Sequence, residues 1–248
     1  MTAPPTKRQR QAAATTDQLL AAARQVFEER GYVATSVGAI TELANTAHGT
    51  FYLHFRNKED VFAAIMSEVV GEMYREARAP GTADPYAALG IATRNYLAVF
   101  QANRRLWRCL LEGTHHSPAV EAMWLSLRRP FIERIARNLA RQVSSGTVRD
   151  MDVEVAAQAL GSMVEWFAFT HFVLEEPPGS SRSLDEVAQT ITDLWFHGVY
   201  GEVGSDSGRV RRARGGVVDR DYRSGDGQSD DRGEQQAQDN GAHGQQHA

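Results

Sequence analysis

Apolar residues recur three and four positions apart through most of residues 15–203, and nowhere do they alternate in a strand-like way. Leu19, Ala22, Ala23, Val26 and Phe27 stand at i, i+3, i+4, i+7 and i+8, which lays one apolar stripe along a helix. Val61, Phe62, Ile65, Met66, Val69 and Met73 repeat the pattern further on. No hairpin signal and no internal repeat accompany these stripes. The expected fold is all-α, with about nine helices: three short ones at the N-terminus, then a larger C-terminal bundle.

Turn and cap residues divide the stripes. Residues 1–14 are polar and basic through Lys7, Arg8 and Arg10, and read as a flexible arm. Thr15 with Gln18 forms a capping-box pattern, and Gly31 closes the helix that follows. Thr35 or Ser36 caps a second helix with Val37, Ile40, Leu43 and Ala44 inward, and Asn45 takes the turn after it. A third, short helix covers about residues 47–55. Asn57 caps a fourth, which Pro80 and Gly81 close.

Pro85 and Pro118 open later helices, and Pro130 falls inside one and should kink or split it. Asp150 or Asp152 starts a very apolar helix over about 153–175, Pro177, Pro178 and Gly179 break the chain, and Ser183 with Glu186 caps the last helix. Residues 204–248 contain no Ile, Leu, Phe or Trp. Such a segment buries too little to offset its ordering entropy and reads as a disordered tail.

Composition narrows the chemistry. The 248 residues are 42% apolar, enough for one or two real cores. Net charge is −4, so any nucleic-acid surface must be local. Cys109 is the single cysteine, which excludes an internal disulfide framework and a cysteine zinc site. The basic N-terminus lacks the apolar core of a secretory signal. The longest apolar run, residues 163–174, is interrupted by Glu165 and His171 and is too short to span a bilayer. A reducing, cytoplasmic location is expected.

Residues 31–60 read GYVATSVGAITELANTAHGTFYLHFRNKED. Two short helical patterns meet at a tight turn, and the second carries small, hydroxyl and aromatic residues before His, Arg and Lys. This is how a chain builds a helix for a DNA groove and another to brace it. Phe51 and Phe55, at i and i+4, read as core.

These residues resemble the TetR family of bacterial one-component regulators. The resemblance rests on LLAAARQVFEERGY at 19–32, TSV at 35–37, HGTFYLHF at 48–55 and NKED at 57–60. It covers about a quarter of the chain in motif. It implies a helix-turn-helix DNA-binding domain at 15–60 and a ligand-binding and dimerisation bundle at 61–203. It also implies phosphate contacts from Tyr52, His54 and Lys58, and from the helix N-terminus at Thr35 or Ser36. Base edges would meet His48, Gly49 and Thr50 at the start of the recognition helix. Asn45 stands where the family usually has glycine, and Ala47 where it has Ser or Thr, so Thr46 is the candidate replacement cap.

The resemblance further implies a homodimer on a palindromic double-stranded operator, with the last two helices as interface. A small hydrophobic effector would release it, with the turn out of the fourth helix as lever. Phe100, Trp107, Trp124, Trp166 and Phe169, with Glu112 and Glu165, are the candidate ligand contacts. Glu165 lies in SMVEWFAF and needs a partner: an arginine across the dimer, a ligand, or a neutral state.

Glu112 and His115 have the Glu-x-x-His spacing of di-iron bundles, but no second copy exists. No cofactor, metal site or membrane partner is expected. The competing reading is an all-α binding protein or enzyme whose helix-turn-helix is only structural. Against it, no nucleophile–base pair, phosphate loop or metal set is visible, so the chain is not read as an enzyme.

Overall fold

In a computed structural model, residues 6–78, 82, 84–175 and 182–200 are described. Among them the chain is helical and contains no strand. The helices are α1 (Lys7–Ala34), α2 (Val37–Leu43), α3 (His48–Phe51), α4 (Lys58–Glu76), α5 (Pro85–Ala102), α6 (Arg104–His116), α7 (Pro118–Ser144), α8 (Val153–Ala168) and α9 (Leu184–Tyr200). A π-helical turn, Phe169–Val173, extends α8. The expected breaks at Pro80–Gly81 and 177–179, the tail at 204–248 and residues 1–5 of the arm lie outside the described residues.

The first difference from expectation is at the start. Residues 7–14 are not an arm but the first two turns of α1. Thr6 and Gln9, not Thr15 and Gln18, form the capping box, through Thr6 N to Gln9 Oε1 (2.8 Å) and Gln9 N to Thr6 Oγ1 (3.3 Å). Ala12, Ala13 and Ala14 are strong helix formers, and they carry the helix onward although basic residues in its first turns oppose the dipole. Thr15 donates to Gln11 O instead, and Gln18 reaches across to Ala44 O (2.7 Å).

Elsewhere the caps match. Ser36 rather than Thr35 caps α2 (Ala39 N to Ser36 Oγ, 3.2 Å). Asn57 caps α4, Asp152 caps α8, and Ser183 with Glu186 opens α9. Asn45 sits at φ 49° and makes the left-handed turn between α2 and α3. Thr46 does not replace the missing cap of α3: its hydroxyl is buried without a partner, and Ala47 offers none. Leu43 points outward rather than into the core.

Pro130 does not split α7, which stays helical throughout. Proline removes one N–H from the ladder and leaves the carbonyl four residues back, that of Ser126, without its donor, but Ser126 and Pro130 are both exposed, on the side of α7 where water can hydrogen-bond that carbonyl.

One apolar core runs from the first helices into the bundle. Leu19, Phe27, Ile40, Phe51, Phe62, Ile65 and Met66 fill its N-terminal part, and Leu97, Phe100, Leu106, Trp107 and Leu110 continue it. The main pairings are α1 on α6, α5 on α9, and α7 on α8. No described helix is long and apolar enough to cross a membrane.

Candidate functional site

Helix α3 is four residues long, shorter than the expected 47–55, and Phe51 at its last position and Phe55 in the turn after it hold one side of residues 48–55 inward. Phe51 and Phe55 are buried, 5.6 Å apart between rings. With that face held inward, the residues between and before them must turn out. Ala47, His48 and Gly49 are exposed, Thr50 is half-buried, and Tyr52 is 52% exposed. The His48 ring rests edge-on against Tyr52 at 5.4 Å. A Cβ at Gly49 would touch nothing within 4 Å, so this position is open to close approach by another molecule.

The other DNA-facing candidates are held more tightly. His54 is half-buried, its Nδ1 2.8 Å from the Thr16 hydroxyl. Lys58 donates to Tyr32 O (2.9 Å) and lies 4.4 Å over the Tyr32 ring. Each keeps a polar group without a partner among the described residues: the second imidazole nitrogen of His54, and two ammonium hydrogens of Lys58. Thr35 departs from the expected set. It is buried, and its hydroxyl donates to Gly31 O (2.6 Å), so it locks the end of α1 and presents nothing outward. Arg56 is exposed and bridges Asp60 at 2.9 Å, which holds the Asp60 carboxyl below its usual range.

A seam joins this head to the bundle. Gly31 has φ +81°, and the next two amides, Tyr32 N and Val33 N, both donate to the Glu112 carboxylate on α6 (2.9 and 3.0 Å). A Cβ on Gly31 would stand 2.8 Å from Glu112 Oε2. The Tyr32 hydroxyl donates to Glu59 on α4 (3.0 Å), and burial together with that acceptor raises the phenol's pKa. Glu112 is therefore a structural clamp between head and bundle, not a pocket residue, and it lines neither cavity described below.

Two cavities among the described residues of the bundle bear on the candidate ligand contacts. The first, about 370 Å³, lies among α5, α7, α8 and α9. The second, about 480 Å³, is lined by Trp124, Arg128, Glu165, Trp166 and Phe169 with apolar neighbours. Four sequence candidates thus meet at the second cavity, and none lines the first. Phe100 and Trp107 line neither. They stack at 4.4 Å with ring planes 2° apart and form core.

Glu165 finds its arginine within the same chain. Arg128 Nε donates to its Oε2 at 2.6 Å, while Oε1 is buried without a partner. Burial raises the Glu165 pKa, against the opposing pull of Arg128.

Sequence reading missed Thr93, Tyr96, Arg134, Asn138, Gln142 and Trp195, which line the first cavity. The signal was present in part. Arg134, Asn138 and Gln142 stand at i, i+4 and i+8, a polar stripe along one face of α7.

Comparison with known proteins agrees with this architecture. The sequence model for bacterial regulatory proteins of the tetR family matches residues 19–65. That for the AefR-like transcriptional repressor C-terminal domain matches residues 87–202. The transcriptional repressor KstR2 of Rhodococcus jostii is 29% identical over 188 residues, which is 73% of this chain and 89% of KstR2. The fatty acid metabolism regulator protein of Bacillus subtilis is 26% identical over 188 residues, 74% of this chain and 94% of that protein. The regulator FadR from Bacillus subtilis, solved in complex with stearoyl-CoA, superposes with a TM-score of 0.60. It is 21% identical, covering 72% of this chain and 96% of FadR, and shares the fold. With the helix-turn-helix, the outward face of α3 and both halves of the chain matched, the chain belongs to the TetR family of transcriptional regulators.

Proposed function

We propose that the protein is a homodimeric, effector-released repressor that binds a palindromic operator through residues 15–60 and senses its effector in residues 61–203. The observation that carries this is the division of α3 and the turn after it: Phe51 and Phe55 are buried, while His48, Gly49 and Tyr52 face outward with Thr50 beside them. In this reading His48, Gly49 and Thr50 meet base edges in a major groove. Ser36, Ala47, Tyr52, His54 and Lys58 lie along the phosphates and set the register without reading sequence. Lys7, Arg8 and Arg10, exposed on the first turns of α1, add local positive charge to an otherwise acidic chain.

Dimerisation has its own support. Val155 and Trp166, eleven residues apart and so on one face of α8, are exposed, as is Leu194 on α9. A two-fold dimer would place two α3 helices about 34–36 Å apart, or a multiple, matching successive major grooves. The effector would act by population shift, favouring a bundle shape in which that spacing is lost. Beside the expected lever, the turn after α4, the Glu112 seam offers a second route, because it links the bundle to α1 directly.

Selection of bound duplexes from a random pool tests this reading. A recovered site with two inverted half-sites one turn apart, or a multiple, supports it. Recovery of unrelated sequences with no shared half-site contradicts it.

A further inference from the structure

The cavity among α5, α7, α8 and α9 has walls mostly of carbon, from residues such as Leu89, Ile135, Leu139 and Val164. Three of its polar groups are unusual. Thr93 Oγ1, Gln142 Oε1 and Trp195 Nε1 are each buried without a hydrogen-bond partner, and all three residues line it. Burying a polar atom unpaired is costly, and folded chains keep few such atoms. Three of them around one cavity are groups that a ligand of matching polarity would satisfy. An indole N–H only donates, an amide oxygen only accepts, and a hydroxyl does either.

Charge sharpens the match. Arg134 lines the same cavity, from the polar stripe that Asn138 and Gln142 complete along α7. Among the described residues Arg134 has no ion-pair partner, and no Asp or Glu lines the cavity. A half-buried guanidinium at one edge of an apolar chamber favours an oxyanion there. The volume is near the lower end of the roughly 300–1,000 Å³ usual for ligand sites, so the guest is small.

We propose that this cavity, rather than the one holding the Arg128–Glu165 pair, binds a small amphipathic anion. The ligand has an apolar body, one carboxylate or sulfonate placed on Arg134, and a further oxygen that accepts from Trp195 Nε1. The assignment rests on the reading of the bundle as an effector domain and gives that effector a chemical class.

The probes are 1-anilinonaphthalene-8-sulfonate and N-phenyl-1-naphthylamine, which share an aromatic body and differ in the sulfonate. Fluorescence titration of the full chain should give at least tenfold tighter binding of the sulfonate. Arg134→Gln should weaken it roughly ten- to hundredfold, the scale of a lost charge-assisted hydrogen bond, and change the neutral dye less than about twofold. Arg134→Lys should keep most of the preference, which separates lost charge from misfolding. Ala92→Trp, which fills the cavity, should remove both dyes.

Equal affinity for the two dyes, or a loss in Arg134→Gln that is the same for both, overturns the proposal. So does dye binding that survives Ala92→Trp, because it then lies on an outer surface. Wild-type binding to the selected duplex is measured alongside. If it is absent, the regulator reading fails; if it is present without anion preference, only the ligand class fails.

Discussion

Cys109 is chemically quiet for reasons that lie within a few ångströms of it. Its thiol is buried and donates to Phe27 O at 3.1 Å, and burial pushes its pKa up to about 12. In the unfolded chain the thiol ionises near its ordinary value of 9.0. The folded state therefore keeps a proton that the unfolded state sheds between those values. The associated stability is fully present below about pH 9 and is lost as pH rises toward 12. Melting temperatures measured from pH 8 to 10.5 should fall less steeply for Cys109→Ala than for the native chain. Parallel slopes would show that this thiol is not the titrating group. The buried phenols of Tyr32, Tyr74 and Tyr96 are also raised, and they contribute the slope common to both proteins.

At the level of elements, the short turns and seams carry more information than the long helices. Asn45 holds φ 49° between α2 and α3, a conformation that asparagine tolerates and β-branched residues do not. Asn45→Gly should leave the melting temperature nearly unchanged, while Asn45→Val should cost about 1–2 kcal/mol in urea unfolding. Equal stability of the two would mean that the turn relaxes freely. At the seam, Glu112→Ala leaves two amides of α1 without their acceptor and should cost roughly 1–3 kcal/mol. Glu112→Gln, which keeps one acceptor oxygen, should cost less. A Glu112→Ala protein as stable as the native chain would contradict the clamp.

The same scale shows what sequence could and could not reveal. Asn57, Ser36 and Ser183 were legible as caps because capping is decided within three residues. The start of α1 was misread because two capping boxes, at Thr6 and Thr15, are equally good locally, and the alanines between them favour the longer helix. Glu112 was misassigned because its partners are 79 and 80 residues away. The first cavity was hidden for a similar reason: its polar stripe has meaning only once α5, α8 and α9 are packed against it.

For the whole molecule, one core ties α1–α4 to the bundle, so a change in bundle shape has a physical route to the DNA-facing helix. That route matters only if α3 meets a duplex. The most direct measurement is the affinity of Tyr52→Ala and His48→Ala proteins for the selected operator and for random duplex. Tyr52→Ala should weaken both by a similar factor, with little change in preference, as for a phosphate contact. His48→Ala should reduce discrimination between them, by about 1–3 kcal/mol if the imidazole reads a base edge. Native affinity for both duplexes in both variants would mean that the outward face of α3 does not touch DNA, and the account would be wrong.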